Sequence, residues 1–213
     1  MGFALADPPA DNCCAGGRNL SEILAYLPVF ILILTGLGLL LNLPYRWLLI
    51  LFSLQFVAAF WLILLSWPLG LAAVKLLVGW MAVAIIGSSI NEEESPTDFD
   101  WKLNDNFFKI IAGLLILLLA FSLGNTAFQW IPASFAVISG GLVLAGLGLL
   151  QLGLSTQPFR TTIGLLTVLS GFDIIYAAVV NSVLVAGLSA LVSLGLAFLG
   201  AYLMNVEHLE DQP

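Results

Sequence analysis

The sequence predicts an all-α polytopic transmembrane bundle of about seven helices, and three observations support this prediction. Hydrophobic residues make up 61% of the 213 residues and charged residues only 9%, whereas roughly a quarter of a typical soluble domain is charged. The mean hydropathy is +1.07. The apolar residues lie in runs near the length of about 20 residues that crosses a bilayer, without the strict alternation of barrel strands. This composition leaves no room for a soluble catalytic domain.

Breaks at Pro, Asn, Gly or charged residues divide the chain into seven predicted spans: 23–41, 47–67, 71–90, 108–123, 131–154, 161–180 and 182–204. The fourth span is short unless residues 124–129 also enter the membrane. Almost no loop separates the second span from the third. Six crossings therefore remain an alternative.

Polar segments lie outside these spans. They comprise an extramembrane leader at 1–21, an acidic cytoplasmic loop at 91–106 and a cytoplasmic tail at 205–213. The leader carries Asp7 and Asp11 where a signal peptide would be apolar, so the first span is expected in the mature protein. Because the acidic residues are concentrated in the tails and this loop, nucleic acid is an improbable partner.

The basic residues predict the orientation, because Lys and Arg accumulate in cytoplasmic loops. With seven spans, Arg46, Lys102, Lys109 and Arg160 share one face of the membrane, and Arg18 alone lies on the other. The sequence therefore predicts a multi-pass protein of the cell (plasma) membrane, with its amino terminus outside and its carboxyl terminus in the cytoplasm.

Two similar segments indicate an internal repeat. Residues 34–40 read LTGLGLL and lead into Pro-Tyr-Arg at 44–46, and residues 144–150 read LAGLGLL and lead into Pro-Phe-Arg at 158–160. Each segment is followed by two further apolar spans. We therefore predict a first three-helix unit at 22–90, a linking helix at 107–130 and a second unit at 131–204. The extra crossing gives both units the same orientation, which makes the repeat parallel.

Lys75 and Asp173 are the two charged side chains that fall clearly inside predicted spans. Such a side chain costs about 2.5 to 3.5 kcal/mol at the bilayer centre. Both lie in the outer half of the membrane, so we hypothesise that the third and sixth spans pack side by side with Lys75 and Asp173 paired directly or through water. Alternatively, Lys75 extends to the outer boundary and Asp173 bonds to Ser or Thr on a neighbouring helix.

Gln55, midway along the second span, is a third candidate for an ion pathway, although an interhelical hydrogen bond is its simpler interpretation. Small residues at 189, 193, 197 and 201 predict a packing face on the last span. No hydrolase, nucleotide or metal pattern is present, so we expect no catalytic residue, no cofactor and no metal.

The Gly-Leu-Gly-Leu-Leu runs, the basic turns and the polar positions that follow resemble a family of small three-span membrane subunits. The family comprises the K-type (chain 4L-like) subunit of complex I, the C subunit of Mrp-type cation/proton antiporters and the E-type subunit of membrane-bound hydrogenases. The resemblance covers 23–90 and 131–204, as a degenerate tandem duplication. Where the K-type subunit has its first buried Glu, this chain has Gln55 or Phe56 in one unit and Ser170, followed by Asp173, in the other.

The resemblance implies an accessory membrane subunit of an antiporter or a complex-I-like oxidoreductase, without a catalytic site of its own. Its partners would be lipid, larger membrane subunits, and protons or sodium ions. One alternative is a stand-alone small transporter or channel with its pathway between the two repeats. Another is a membrane scaffold or assembly factor.

Overall fold

The computed structural model describes residues 15–41, 43–89, 103–129, 134–155, 157–180 and 182–210. Their regular structure is entirely helical and consists of seven helices: α1 (Ala15–Leu40), α2 (Tyr45–Leu64), α3 (Leu69–Ser88), α4 (Leu103–Ala127), α5 (Phe135–Leu154), α6 (Pro158–Val179) and α7 (Val183–Glu210). Helices α2 to α7 are long and apolar enough to span a membrane. In α1, the apolar stretch among the described residues is Tyr26–Leu40, which is shorter. The predicted all-α fold is confirmed, and the chain is a multi-pass membrane protein.

Several helix ends differ from the predicted spans, because a backbone helix continues past the apolar residues that mark the bilayer core. The fourth span extends over Asn106–Ala127, so residues beyond 123 do continue the helix. Helix α7 runs to Glu210, into the predicted tail, and α1 begins at Ala15, inside the predicted leader. Residues 1–14 of the leader, 91–102 of the acidic loop and 211–213 of the tail lie outside the described residues.

The helices form two layers, with α4 at one side. Helices α1, α2 and α3 pack in succession, as do α5, α6 and α7, and the layers face each other with α1 against α5, α2 against α6 and α3 against α7. Helix α4 packs against α5 and α1. Each helix of the predicted first unit therefore contacts its counterpart in the second.

Shared apolar clusters show the direction of these counterpart helices. Val29 and Ala136, near the starts of the apolar parts of α1 and α5, belong to one cluster. Ile86 and Met204, in the carboxyl-terminal parts of α3 and α7, belong to another. Counterpart helices thus run in the same direction, as the parallel repeat requires. The origin of the two units by duplication stays a prediction, as does the orientation of the bundle in the membrane.

A third apolar cluster, with Leu117 and Leu147, joins α4 to α1 and α5, and two other apolar clusters lie between the two layers at different heights. The first apolar cluster lies near the carboxyl-terminal end of α6 and includes Leu62, Ile63, Trp67, Ile174 and Ala177. The second apolar cluster lies near the amino-terminal end of α6 and includes Leu48, Phe52, Ile86, Ile163 and Leu166. The site described below lies between them.

Helices α5 and α6 approach closely through small residues. A Cβ atom added to Gly171 would lie 2.6 Å from the backbone nitrogen of Ala145 and 2.7 Å from the carbonyl oxygen of Gly141. One Cβ added to Gly148 would lie 3.0 Å from the carbonyl oxygen of Gly164. Small residues at such positions let membrane helices pack backbone to backbone, and this contact fixes the rotation of α6 about its axis.

Candidate functional site

An ion pair joins the two helical layers in the interior of the bundle. The Nζ atom of Lys75 on α3 lies 2.5 Å from Oδ2 of Asp173 on α6, and the two side chains are only 11% and 9% exposed. Lys75 is near the start of α3 and Asp173 near the end of α6. Because these helices run in opposite directions, the two residues reach the same height, and the hypothesis that they pair is confirmed. Lys75 turns inward and does not extend to the boundary.

The predicted side-by-side packing of the third and sixth spans is wrong. Helix α3 packs mainly against α2 and α7, whereas α6 packs mainly against α5, α7 and α2. Helices α2 and α7 each contact both α3 and α6. Lys75 therefore needs its long side chain to reach Asp173 across the space between α3 and α6. Hydropathy gave the depth of each residue but not the order of helices around the bundle.

Ser189 on α7 completes the site. Lys75 Nζ donates a hydrogen bond to Ser189 Oγ at 2.5 Å, and the Ser189 hydroxyl donates to the carbonyl oxygen of Ala186 at 3.2 Å. The packing-face interpretation holds for Ser193 and Ala197, which are buried, but Ser189 also binds the lysine. Ser189 and Lys75 are both the seventh residue of parallel, contacting helices, but the predicted spans 71–90 and 182–204 start at other residues and did not place the two at the same level.

Gln55 lies apart from the ion pair. Its Nε2 atom donates to Oγ1 of Thr167 at 3.2 Å, and the hydroxyl of Thr167 donates to the carbonyl oxygen of Ile163 at 2.8 Å. Thr167 precedes Asp173 by six residues, about 9 Å along the helix axis. The predicted interhelical hydrogen bond of Gln55 is confirmed, and its pathway role stays a prediction.

Thr167, Ser170 and Asp173 form a polar row on one face of α6, since residues three apart lie on the same side of a helix. All three are buried. A cavity of about 10 Å³ is lined by Ser170, Asp173 and Lys75 together with the aromatic rings of Phe56 and Phe60. This volume admits about one water molecule.

Apolar side chains close the polar row at both ends. Ile174 and Trp67 of the first apolar cluster lie beyond Asp173, and Ile163 and Leu166 of the second lie beyond Thr167. The site is therefore an interior polar layer with no wide aqueous passage leading through it in this conformation. Such a layer can hold a proton or a small number of water molecules next to the Lys75–Asp173 pair, whose two charges neutralise each other.

No group of three or more His, Cys, Asp or Glu residues able to hold a metal ion occurs in the part of the chain that the structure describes. Comparisons with family models, with curated proteins and with solved structures find no match to this chain. Fold and site thus define the protein as a multi-pass helical membrane protein with a lysine–aspartate pair buried between two three-helix layers.

Proposed function

We propose that this chain is an accessory integral membrane subunit of a multisubunit cation/proton antiporter or of a complex-I-like membrane complex of the NADH dehydrogenase or hydrogenase type. It packs against larger antiporter-like subunits and contributes Lys75 and Asp173 to a proton or sodium path. The ion pair carries this proposal, because ionisable side chains inside membrane spans are costly and typically mark ion pathways.

The closed surroundings of the pair favour an accessory role. A channel or transporter that conducts alone needs a polar or hydrated route through the membrane, and both ends of this polar row meet apolar clusters. Large apolar side chains cover the outer faces of α3, α4 and α7, including Trp80, Leu118, Leu184 and Phe198. Such faces suit contact with lipid and with apolar helices of neighbouring subunits.

Co-purification tests the proposal. A tagged chain extracted from its native membranes in a mild detergent is expected to bring down large antiporter-like membrane subunits at a fixed ratio. The variant Asp173→Asn in the assembled complex is then expected to lower cation-driven proton movement across membrane vesicles. A chain that purifies alone after mild extraction would contradict the proposal, as would unchanged proton movement in an intact complex that contains Asp173→Asn.

The location of the site favours one second candidate, a stand-alone small transporter. Lys75 and Gln55 belong to the first layer, and Asp173 and Thr167 to the second, so the polar groups lie between the two units, where such a pathway is expected. The purified chain in liposomes separates the two functions. Cation-dependent proton movement by this chain alone, abolished by Asp173→Asn, would favour the transporter, whereas a subunit is expected to be inactive without its partners.

A further inference from the structure

Two buried polar groups near the ion pair, on Ser170 and Gln55, take no part in it. Ser170 lies between Thr167 and Asp173 on the polar row and lines the cavity beside the pair. The side-chain oxygen Oε1 of Gln55 is buried, and no described protein group donates a hydrogen bond to it. Buried polar atoms without a partner are uncommon in folded proteins, and an ordered water often supplies the missing bond.

The cavity has the chemistry of a water site. The Ser170 hydroxyl donates to the carbonyl oxygen of Leu166 at 2.8 Å, so its oxygen can still accept a hydrogen bond. Asp173 offers carboxylate oxygens and Lys75 offers ammonium donors on other sides of the same cavity. A buried water needs two to four polar partners, and these three side chains supply them.

While Lys75 and Asp173 are paired as in this conformation, the same charges argue against a metal ion or an anion bound in the cavity. The ammonium group of Lys75 repels a metal cation, and the carboxylate of Asp173 repels an anion. A volume of about 10 Å³ also leaves no room for an ion with its hydration shell. A single neutral water satisfies both the volume and the charges.

The polar row continues beyond the cavity toward Gln55. Thr167 and Ser170 are one turn apart, a rise of about 4.5 Å, and Thr167 already contacts Gln55 through its hydroxyl. Neither Gln55 nor Thr167 lines the cavity, so the water site is confined to the level of Ser170 and Asp173.

We infer that the cavity between α2, α3 and α6 is a water-binding site, in which one water bridges Asp173, Ser170 and Lys75. Ser170 is the positioning residue that keeps the first water against the carboxylate. The water hydrates Asp173 at the level of Ser170, with an apolar cluster on either side of the polar row. This hydration does not depend on membership of an antiporter complex.

Water-edited solid-state NMR on the full chain in proteoliposomes tests this inference. The experiment measures how fast proton polarisation passes from water to individual carbon and nitrogen atoms. The Asp173 carboxyl carbon and the Ser170 Cβ are expected to receive polarisation several-fold faster than the Cβ of Ser193. Ser193 is a matched control, because it is a buried serine that bonds to the carbonyl four residues earlier and does not line the cavity.

Two variants separate the water from other causes of transfer. Ser170→Val fills the cavity and is expected to slow transfer to the Asp173 carboxyl several-fold, whereas Ser170→Ala removes the hydroxyl but leaves room and is expected to have a smaller effect. Ser193→Val is expected to leave this transfer unchanged. If polarisation reached Asp173 in the wild-type chain as slowly as it reaches Ser193, the inference would be overturned. This comparison uses only the wild-type chain and does not require that any variant folds. If no antiporter-like subunits co-purified with the chain, the proposed function would be refuted, but the NMR result on the water site would still stand.

Discussion

Replacing Lys75 by methionine is expected to destabilise the bundle strongly, because it leaves the carboxylate of Asp173 buried without its counter-charge. The two charged atoms lie 2.5 Å apart, and Coulomb's law gives about 7 kcal/mol for this separation at an effective dielectric constant of about 20. Removing both ions from water costs several kcal/mol each, which offsets this attraction. The intact pair is therefore nearly neutral for stability, but loss of either partner is expected to cost about 3 to 5 kcal/mol.

A double-mutant cycle measures this coupling. Lys75→Met, Asp173→Asn and the double variant are unfolded by titration with a denaturing detergent in mixed micelles, with helicity followed by circular dichroism. Each single variant is expected to lose about 3 to 5 kcal/mol of unfolding free energy, and the double variant to lie near the wild type, because no unpaired charge remains. Lys109→Met, at a half-buried lysine near the start of α4, is the control and is expected to cost less than about 1 kcal/mol.

Additive effects in this cycle would refute the reasoning. If each single variant cost less than about 1 kcal/mol, the two charges would behave as exposed groups that water screens. The conclusion that the pair is buried between the layers would then be wrong. A double variant as unstable as the sum of the two single variants would have the same meaning.

Three further predictions concern other parts of the bundle. Gly171→Ala is expected to lower the melting temperature in detergent, because the added Cβ would meet the backbone of α5. Gly195→Ala is the control and should leave the melting temperature unchanged or raise it slightly, because the space around Gly195 is open. Equal effects of the two variants would contradict the close α5–α6 contact. A double-mutant cycle with Gln55→Leu and Thr167→Val is expected to give a coupling of about 0.6 kcal/mol in unfolding free energy, which is the average for interhelical hydrogen bonds in membranes. A coupling above about 3 kcal/mol would contradict a single hydrogen bond between these two side chains. The basic residues predict a cytoplasmic carboxyl terminus. In a bacterial host, green fluorescent protein fused to this terminus should therefore fluoresce, and alkaline phosphatase fused there should be inactive. The reverse result would overturn the predicted orientation.

The sequence allowed much of the site to be predicted. Lys75 and Asp173 stood out because charged residues are rare within apolar spans, and the fixed rise of a helix gave their similar depth. Ser189 and the contact of Gln55 with Thr167 could not be identified in this way. Hydroxyl side chains often bond to the carbonyl of the preceding turn and are common in membrane helices, so their presence alone does not reveal which of them meets a partner.

Composition and the lengths of the apolar runs determined the class of protein and the depth of each polar group, and they indicated six or seven helices, because these quantities depend on the cost of exposing polar groups to lipid. Only the tertiary structure decided which polar groups meet. In a membrane bundle, the faces toward lipid and toward other helices are both apolar, so hydropathy does not fix the rotation of a helix or its neighbours. Close contacts such as that of Gly171 with Ala145 fix them, and they direct Asp173 toward Lys75 and Thr167 toward Gln55.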